Sequence, residues 1–209
     1  MDKSKLAVST YEKIADIYTK QYFNDLTDIP YIDKFLAKLS NGDKILDVGC
    51  GPGQFTKYMT GKGFQVTGID FSNEMLVTAK KMVPNGNFQQ ADMRTLSFED
   101  ATFDGLLVAY SLIHIPSEHI SKTLKGFHKV LKPGGYIEII AQKGEADKVV
   151  DEPFLPSEKM FFNFFTQERL SKFLEDSRFE IDYQLETESQ DPDSASDKVI
   201  YTIAKKINV

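Results

Sequence analysis

Three glycines and one aspartate carry the clearest chemical signal in the sequence. Gly49, Gly51 and Gly53 stand at alternate positions in the segment KILDVGCGPG (44–53), directly after a short apolar run. Glycine lets a ligand approach the main chain with no side chain in the way. Asp70 follows about twenty residues later, where a carboxylate can accept hydrogen bonds from both hydroxyls of a ribose. A strand, a glycine-rich turn, a helix and a second strand that ends in an acid predict a nucleotide-binding α/β unit.

The glycine spacing also bears on the kind of nucleotide. A dinucleotide fingerprint is G-x-G-x-x-G, in which the third glycine lets the helix pack close to the strand below a pyrophosphate. The pattern here is G-x-G-x-G, it is preceded by Asp47, and no Lys or Arg lies between Asp47 and Gln54 to meet a phosphate. The turn is therefore interpreted as suited to an uncharged or cationic part of a ligand.

His114 is the candidate general base. It lies in the segment YSLIHIP, just after the apolar run FDGLLVA. Ligands bind beyond the carboxyl ends of parallel strands, so Tyr110, Ser111 and His114 are expected to face the reaction zone. An unperturbed imidazole pKa of about 6.5 suits proton transfer at neutral pH. Two other roles stay open for His114: a wall of the pocket, or a hydrogen-bonded structural residue.

Apolar periodicity alternates strands with helices along the chain, which is typical of an α/β protein. Strands are predicted at residues 44–48, 64–70, 87–91, 103–109, 136–141, 179–185 and 198–204. Helices are predicted at 9–23, 31–39, 54–60, from beyond Asp70 to Met82, from Ser117 onward, and at 166–177. Residues 142–158 are predicted to be a loop, 160–165 (MFFNFF) a short strand or turn, and 188–197 a polar hairpin connection. At 209 residues, one domain over 1–209 is expected.

Composition narrows the class of protein. Apolar residues make up 41% and charged residues 27%, as in ordinary globular proteins. No apolar run approaches the ~18 residues that span a bilayer, and the start, MDKSKL, has no apolar stretch behind it that would make a secretory signal. Cys50 is the single cysteine, which excludes an internal disulfide and a cysteine-based zinc cluster. We expect a cytoplasmic location, no membrane partner and no metal. The net charge of −6 makes a nucleic-acid partner unlikely.

Four motifs together resemble the class I S-adenosylmethionine-dependent methyltransferases, of the small-molecule, methyltransferase-11/25-like type. They are ILDVGCGPG, the GID at 68–70, the AD at 91–92 and the LKPGG at 131–135, and they occur in the family's order over roughly residues 11–204. The resemblance implies a Rossmann-like three-layer sandwich with a seven-stranded, mostly parallel sheet whose last strand is antiparallel and lies at the edge. It also implies transfer of a methyl group from S-adenosylmethionine to an O, N, S or C nucleophile, which leaves S-adenosylhomocysteine.

The resemblance assigns the cofactor contacts. The glycine loop admits the methionine portion, and Asp47 helps to hold its ammonium through water or the loop. Asp70 takes the ribose, Phe71 and Met75 lie against the adenine, and Asp92 accepts a hydrogen bond from the adenine amino group. Ordinary packing stays open for Phe71 and Met75, and a turn cap for Asp92. The expected cofactor-binding set is Tyr11, Tyr18, Asp47, Gly49, Cys50, Gly51, Gly53, Asp70, Phe71, Met75, Asp92, Met93 and Ala109.

Two segments are expected to build the rest of the pocket. Residues 1–40 would form a helical cap, in which Tyr11 and Tyr18 of a Y-x-x-x-A-x-x-Y segment reach the methionine end of the cofactor. Plain core packing of this aromatic stripe is the alternative. Residues 142–165 would be an insertion that shapes the substrate pocket, together with Tyr110 and His114.

Three other functions stay open on the sequence alone. A nicotinamide dehydrogenase shares the βαβ start but needs the third glycine one position later, and thermal shift with each cofactor separates the two. A non-catalytic, cofactor-binding or regulatory protein of the same fold would bind the cofactor and methylate nothing. An RNA or protein methyltransferase is the third, although Ala109, Tyr110, Ser111 and Leu112 stand where an N-P-P-Y-type tetrapeptide would indicate a nucleic-acid amine. A small-molecule acceptor is favoured, and both a monomer and a homodimer fit.

Overall fold

In the part of the chain that the structure describes, seven strands form one central sheet and two more form a separate hairpin. The computed structural model describes residues 3–145, 147–152, 154–191 and 194–207. The predicted ranges 1–209, 1–40, 142–165 and 188–197 include the other positions, and those parts of each range lie outside the described residues. The sheet contains β1 (Lys44–Val48), β2 (Gln65–Asp70), β3 (Asn87–Gln90), β4 (Phe103–Ala109), β5 (Leu131–Gln142), β8 (Phe179–Glu188) and β9 (Lys198–Lys206). The hairpin contains β6 (Asp147–Asp151) and β7 (Lys159–Asn163).

Helices surround the sheet. They are α1 (Lys3–Tyr22), α2 (Ile29–Leu36), α3 (Gln54–Gly61), α4 (Asn73–Met82), α5 (Ser117–Val130) and α6 (Gln167–Asp176). Two short 3-10 helices, Met93–Thr95 and Leu112–His114, follow β3 and β4. Within the described ranges, no helix is long and apolar enough to cross a lipid bilayer.

Alternate side chains of the central strands fill two separate apolar clusters. On β4, Leu106 and Val108 join one cluster, and Leu107 joins the other. Because successive side chains of a strand point to opposite faces, the two clusters lie on opposite sides of the sheet. Helices α1, α5 and α6 contribute to the first cluster, while α2 and α3 contribute to the second. This arrangement confirms the predicted three-layer sandwich.

The strand order is β3-β2-β1-β4-β5-β9-β8, and the first five of these strands pair in parallel. The last strand, β9, is antiparallel to β5 and to β8, as predicted. Its predicted place at the edge is wrong, because β9 lies between β5 and β8. The reason is burial: residues 199–204 are buried on both faces, whereas β8 is mostly half-exposed and suits an edge.

Two other predictions need correction. Helix α1 begins at Lys3, six residues before the predicted start. The predicted loop at 142–158 is also wrong in part, because β6 pairs antiparallel with β7 from Asp147↔Asn163 to Asp151↔Lys159. Main-chain hydrogen bonds to the buried β7 hold β6 in place, so its charged side chains follow no apolar period. The alternative of a strand at MFFNFF is confirmed.

Candidate functional site

The glycine loop is held in a conformation that favours glycine. Gly49, Gly51 and Gly53 all have positive φ, at 72°, 51° and 86°. The N–H groups of Gly49 and Cys50 donate to the carbonyl of Ile69 at 2.7 and 2.9 Å, which ties the loop to the end of β2. A Cβ on Gly51 would meet nothing closer than a Tyr18 ring carbon at 4.0 Å. The main chain at Gly51 is therefore open to a ligand.

Two predicted contacts lie beneath the loop and away from the cavity. A Cβ on Gly53 would lie 2.9 Å from the Phe88 ring, so this glycine allows close packing below the loop. Asp47 is 1% exposed and accepts a hydrogen bond from Thr56 Oγ1 at 2.6 Å. Burial raises the pKa of Asp47 to about 7. Neither residue lines the cavity, so any contribution of Asp47 to ligand binding has to pass through the loop.

All the other predicted site residues meet around one cavity, here called the loop cavity, beside the glycine loop. It has a volume of about 100 Å³. Sequence reasoning assigned no role there to several further residues that line it, although it did expect Ser111 near the reaction zone. The predicted lining residues are Tyr11, Tyr18, Gly49, Cys50, Gly51, Asp70, Phe71, Met75, Asp92, Met93, Ala109, Tyr110 and His114, and the additional ones are Ala7, Val8, Gln54, Phe55, Ile69, Ser72, Ala91, Arg94, Ser111 and Ile115.

Asp70 stands at the end of β2 with its carboxylate between two main-chain donors. Oδ2 accepts from Gly51 N at 2.9 Å, and Oδ1 accepts from Ser72 N at 2.8 Å. Burial raises the pKa of Asp70, and no cationic side chain among the described residues pairs with it. Each carboxylate oxygen retains a lone pair. The carboxylate can therefore accept hydrogen bonds from two hydroxyl groups of a ligand.

Asp92 has a closer partner than the sequence suggested. It caps the 3-10 helix that follows β3, where Oδ1 accepts from Arg94 N at 2.9 Å. The Arg94 guanidinium also contacts both carboxylate oxygens, with its terminal nitrogen 2.7 Å from Oδ2. The turn cap therefore forms, and Arg94 lines the cavity as a neutralised pair with Asp92. Contact of Asp92 with an adenine amino group stays a prediction.

Gln54 is a polar residue that sequence reasoning missed. It is the first residue of α3, and it lines the loop cavity. Its Oε1 is buried and has no hydrogen-bond partner in the described part of the chain. A buried acceptor without a donor is unfavourable by about 1–3 kcal/mol. A ligand ammonium or hydroxyl would satisfy it. An uncharged glutamine next to the glycines gave no signal in the sequence.

Tyr11 and His114 form a hydrogen-bonded pair across the cavity. Tyr11 Oη lies 3.0 Å from His114 Nε2, and His114 Nδ1 lies 2.9 Å from the carbonyl oxygen of Phe161. A carbonyl only accepts, so Nδ1 carries the proton and Nε2 accepts from the tyrosine. Burial lowers the pKa of His114 to about 4. The imidazole is therefore neutral at pH 7, with its one basic nitrogen on the cavity side.

A second, larger cavity adjoins the first. Its volume is about 480 Å³, and it shares Tyr11, Tyr18, Gln54, Phe55 and Tyr110 with the loop cavity. The β6–β7 region, the α1–α2 connection and the β8–β9 connection supply most of its other walls. Part of the range predicted as a substrate-pocket insertion, 142–165, thus lines this cavity.

Comparison with known proteins agrees with this geometry. Residues 45–135 match the sequence model of a methyltransferase domain. A crystal structure of an S-adenosylmethionine-dependent methyltransferase from Methanosarcina mazei superposes with a TM-score of 0.78, at 26% identity, and covers 86% of this chain and 98% of that one. Residues 45–135 are thus a methyltransferase domain, and the fold is that of S-adenosylmethionine-dependent methyltransferases. The predicted family and fold are therefore confirmed.

Sequence relatives within this methyltransferase family match over part of their length. The malonyl-[acyl-carrier protein] O-methyltransferase of Erwinia billingiae is 36% identical over 102 residues, which are 48% of this chain and 39% of the relative. The demethylmenaquinone methyltransferase of Staphylococcus epidermidis is 32% identical over 133 residues, which are 61% of this chain and 51% of the relative. The chain thus spans about half or less of the length of these two relatives.

The groups of the loop cavity fit the methyl donor of this methyltransferase family. Asp70 offers acceptors to a ribose, and Gln54 Oε1 offers one to an ammonium or hydroxyl. Met75 is buried, and Phe71 is 36% exposed at the cavity wall, so both present apolar surface beside Asp70. Open space above Gly51 lets a ligand reach the main chain. These donors, acceptors and apolar surfaces match a nucleoside joined to an amino acid.

Helix α1 covers the loop cavity. The Tyr11 and Tyr18 rings meet edge to face at 5.5 Å between centroids. Polar contacts fix the helix from both sides: Glu12 accepts from Asn73 N at 3.0 Å, and Lys13 pairs with Glu158 at 2.7 Å. The cavity is smaller than the roughly 300–1,000 Å³ of common ligand pockets. Residues of helix α1 line this small cavity, and the role of the helix as a cap stays a prediction.

Proposed function

We propose that this chain transfers a methyl group from S-adenosylmethionine to a small-molecule acceptor. One observation carries the proposal: the loop cavity, with donors and acceptors that fit the cofactor, shares a wall of five residues with a larger cavity that can hold an acceptor. Two sequence relatives are named for methylation of malonyl-[acyl-carrier protein] and demethylmenaquinone, which supports a non-nucleic-acid acceptor.

The proposed cofactor contacts follow from the positions of the side chains. Asp70 binds the ribose hydroxyls, Phe71 and Met75 flank the adenine, and Asp92 and Met93 lie beside it. The main chain of 49–51 and Gln54 Oε1 receive the methionine portion, with Tyr18 above them. When bound, the cofactor supplies an activated methyl group on a sulfonium.

The chain itself contributes alignment and a proton acceptor. Alignment of two reactants in a closed site is worth ~7–11 kcal/mol of a reaction barrier. His114 Nε2 is the basic atom in this region, and Tyr11 now donates to it. An acceptor that loses a proton as it gains the methyl can pass that proton to Nε2, while Nδ1–H remains on the Phe161 carbonyl. Helix α1 is proposed to open for entry and close over the bound cofactor.

Calorimetry tests the cofactor assignment directly. S-adenosylhomocysteine is expected to bind the purified protein, and NADH is not. Asp70→Ala should weaken that binding by ~1.5–3 kcal/mol, the scale of hydrogen bonds to a charged group. The matched control is Asp43→Ala, which removes an aspartate that accepts from the main-chain N–H of Ser40 far from both cavities.

Two results would contradict this proposal. One is no binding of S-adenosylhomocysteine by the folded protein. The other is an equal loss of affinity in both aspartate variants. Methyl transfer to an RNA or protein substrate, with none to small molecules, would leave the cofactor assignment unchanged and would contradict only the proposed class of acceptor. Tritiated methyl donor with a small-molecule panel, total RNA and a protein mixture distinguishes these cases.

A further inference from the structure

The walls of the second cavity combine carboxylates with aromatic rings. Among the described residues that line it there is no Lys, Arg or His. Two of the carboxylates, on Asp151 and Glu188, form ion pairs with lysines that do not line the cavity. The acidic lining residues are Asp25, Asp28, Asp151, Glu152, Glu188 and Asp191, and the aromatic ones are Tyr11, Tyr18, Tyr22, Tyr31, Phe55, Tyr110, Phe154, Phe162 and Tyr201.

Asp28 is held by neutral donors alone. Its Oδ1 accepts from Tyr201 Oη at 2.6 Å and from Tyr110 Oη at 3.0 Å. The Tyr201 ring stacks on Tyr31 with centroids 3.6 Å apart. Burial raises the pKa of Asp28, and no basic side chain of the described chain comes within ion-pair distance. The tyrosines orient the carboxylate without neutralising it.

Glu152 is a second carboxylate without a cation. It is 3% exposed and accepts from Leu155 N at 2.7 Å through Oε2. Burial raises its pKa, and no lysine, arginine or histidine in the described ranges pairs with it. Beside it, Phe154 meets Tyr22 edge to face at 6.0 Å between centroids. Aromatic faces next to carboxylates are the usual surroundings of a bound organic cation.

Gln142 adds an acceptor that nothing in the described chain satisfies. It is the last residue of β5, it is 7% exposed, and it lines the second cavity. Its Nε2 donates to Ser194 Oγ at 2.9 Å, while its Oε1 is buried with no hydrogen-bond partner. The carboxylates of the same cavity are acceptors and cannot satisfy it. A donor group of a ligand bound in this cavity would satisfy it.

We propose that the methyl acceptor is an organic cation, an amine or ammonium compound with an apolar or aromatic body. This step rests on the proposed function, since it names the acceptor of that same site. Carboxylates that are half-buried, as Asp28 is, or buried, as Glu152 is, are unfavourable until a positive charge joins them. An ammonium with N–H groups would pair with the carboxylate of Asp28 or of Glu152 and lie against the rings, and Gln142 Oε1 offers a further acceptor in the same cavity. The cationic group is a recognition element and need not be the methylated atom. An anionic acceptor would be repelled.

Three probes of one shape isolate the effect of charge. They are 2-naphthylmethylamine, which is protonated at neutral pH, 2-naphthalenemethanol, which is neutral, and 2-naphthoate, which is an anion. Calorimetry or ligand-detected NMR is carried out on the full chain with and without S-adenosylhomocysteine. The amine is expected to bind at least about tenfold more tightly than the alcohol, the scale of a partly desolvated cation–π contact or ion pair. The naphthoate should bind more weakly than either.

Two variants test whether Asp28 and Glu152 cause the preference for the amine. Asp28→Asn and Glu152→Gln should each lower the affinity for the amine roughly fivefold to tenfold, the scale of a charge-assisted hydrogen bond, and leave the alcohol unchanged. Asp33→Asn is the matched control: Asp33 lies on α2, accepts from Tyr58 Oη at 2.8 Å and lines neither cavity. It should leave the binding of all three probes unchanged. Circular dichroism and thermal unfolding check that each variant folds.

The outcomes separate this inference from the proposed function. Equal or tighter binding of the alcohol or the naphthoate overturns the cationic acceptor, as does no binding of any probe. A preference for the amine that survives in folded Asp28→Asn and Glu152→Gln overturns it as well. If neither variant folds, the charge preference of the wild-type chain decides. Binding of the amine without S-adenosylhomocysteine binding would support the cation site and sink the methyltransferase proposal. Binding of S-adenosylhomocysteine without a preference for the amine would support the methyltransferase proposal and overturn the cation site.

Discussion

The hydroxyl of Tyr11 lies 3.0 Å from Nε2 of His114, although the two residues are 103 positions apart in the sequence. The contact joins helix α1 to the 3-10 helix that follows β4. Because Nδ1 is engaged by the Phe161 carbonyl, the same imidazole also ties β7 to the site. One side chain thus connects three elements around the loop cavity.

The protonation state of His114 is the first testable consequence. We expect its imidazole to be the Nδ1–H tautomer and to remain neutral until the pH falls to about 4. The unfolded chain takes up the same proton near pH 6.5. Because the folded-state pKa is the lower one, this residue contributes stability that is lost as the pH falls from about 6.5 to about 4. Nitrogen-15 NMR of the imidazole over pH 4–8 measures both properties. A titration midpoint near 6.5, or an Nε2–H tautomer, would contradict the described geometry.

The kinetic role of His114 is a separate prediction. His114→Gln should slow methyl transfer by roughly 10²-fold, the lower end for loss of a general base. S-adenosylhomocysteine affinity should change little, because the proposed cofactor contacts do not include the imidazole. His119→Gln, on α5 and outside both cavities, is the control and should keep full activity. Turnover is measured with the best amine of an acceptor panel. A loss of less than about threefold would make His114 a wall of the pocket, since general bases contribute far more.

The local part of the site could be predicted because its physics is local. Glycines that need positive φ and an acid at the end of a strand occur at a fixed spacing that can be recognised in the sequence. Gly49, Gly51 and Asp70 line the loop cavity, as this spacing predicted. Asp47 and Gly53 show the limit of this reasoning. A glycine needed for packing against Phe88 and a carboxylate buried under Thr56 have the same sequence signature as ligand contacts.

The remaining features depend on contacts between distant segments. The 142–158 region carries no apolar period because its strand is held by main-chain bonds to β7. The positions of Gln54 and Arg94 in the cavity wall could not be predicted from the sequence, because they depend on how α3 and the 3-10 helix pack beside the cavity. The edge strand was predicted wrongly because the order of β8 and β9 in the sheet depends on which of the two is buried on both faces. The run VIYTIA (199–204) of β9, in which Thr202 is the one residue that is not apolar, was the available signal.

Access to the glycine loop gives a sharper mutational test. Gly51→Ala places a methyl group where the cofactor main-chain contact is proposed, and should weaken S-adenosylhomocysteine binding by tenfold or more, roughly what displacing a close-packed ligand requires. Gly42→Ala is its matched control, because Gly42 has a φ of 88°, has nothing within 4 Å of a new Cβ and lies outside both cavities. Both should lose about 1 kcal/mol of stability from left-handed backbone strain. Calorimetry compares the affinities and thermal unfolding the stabilities. Equal affinities in the two variants would remove Gly51 from the cofactor site.

Glu138 gives the last prediction, which concerns stability. It is 0% exposed in the middle of β5, between Leu107 of β4 and Ile203 of β9, and neither of its carboxylate oxygens has a hydrogen-bond partner among the described residues. Burial raises its pKa to about 8. The unfolded chain releases this proton at the lower pH, so the native state becomes less stable as the pH rises from about 4.5 to about 8.

Glu138→Leu should remove this penalty. The leucine matches its buried apolar neighbours, and it should raise the free energy of unfolding by a few kcal/mol at pH 8.5 and by much less at pH 5. Asp47, with a pKa raised to about 7, should leave a smaller residual slope in the variant. Urea unfolding at both pH values measures the difference, with exposed Glu180→Leu on β8 as the control. Equal effects of Glu138→Leu at the two pH values would show that the buried carboxyl does not titrate in this range.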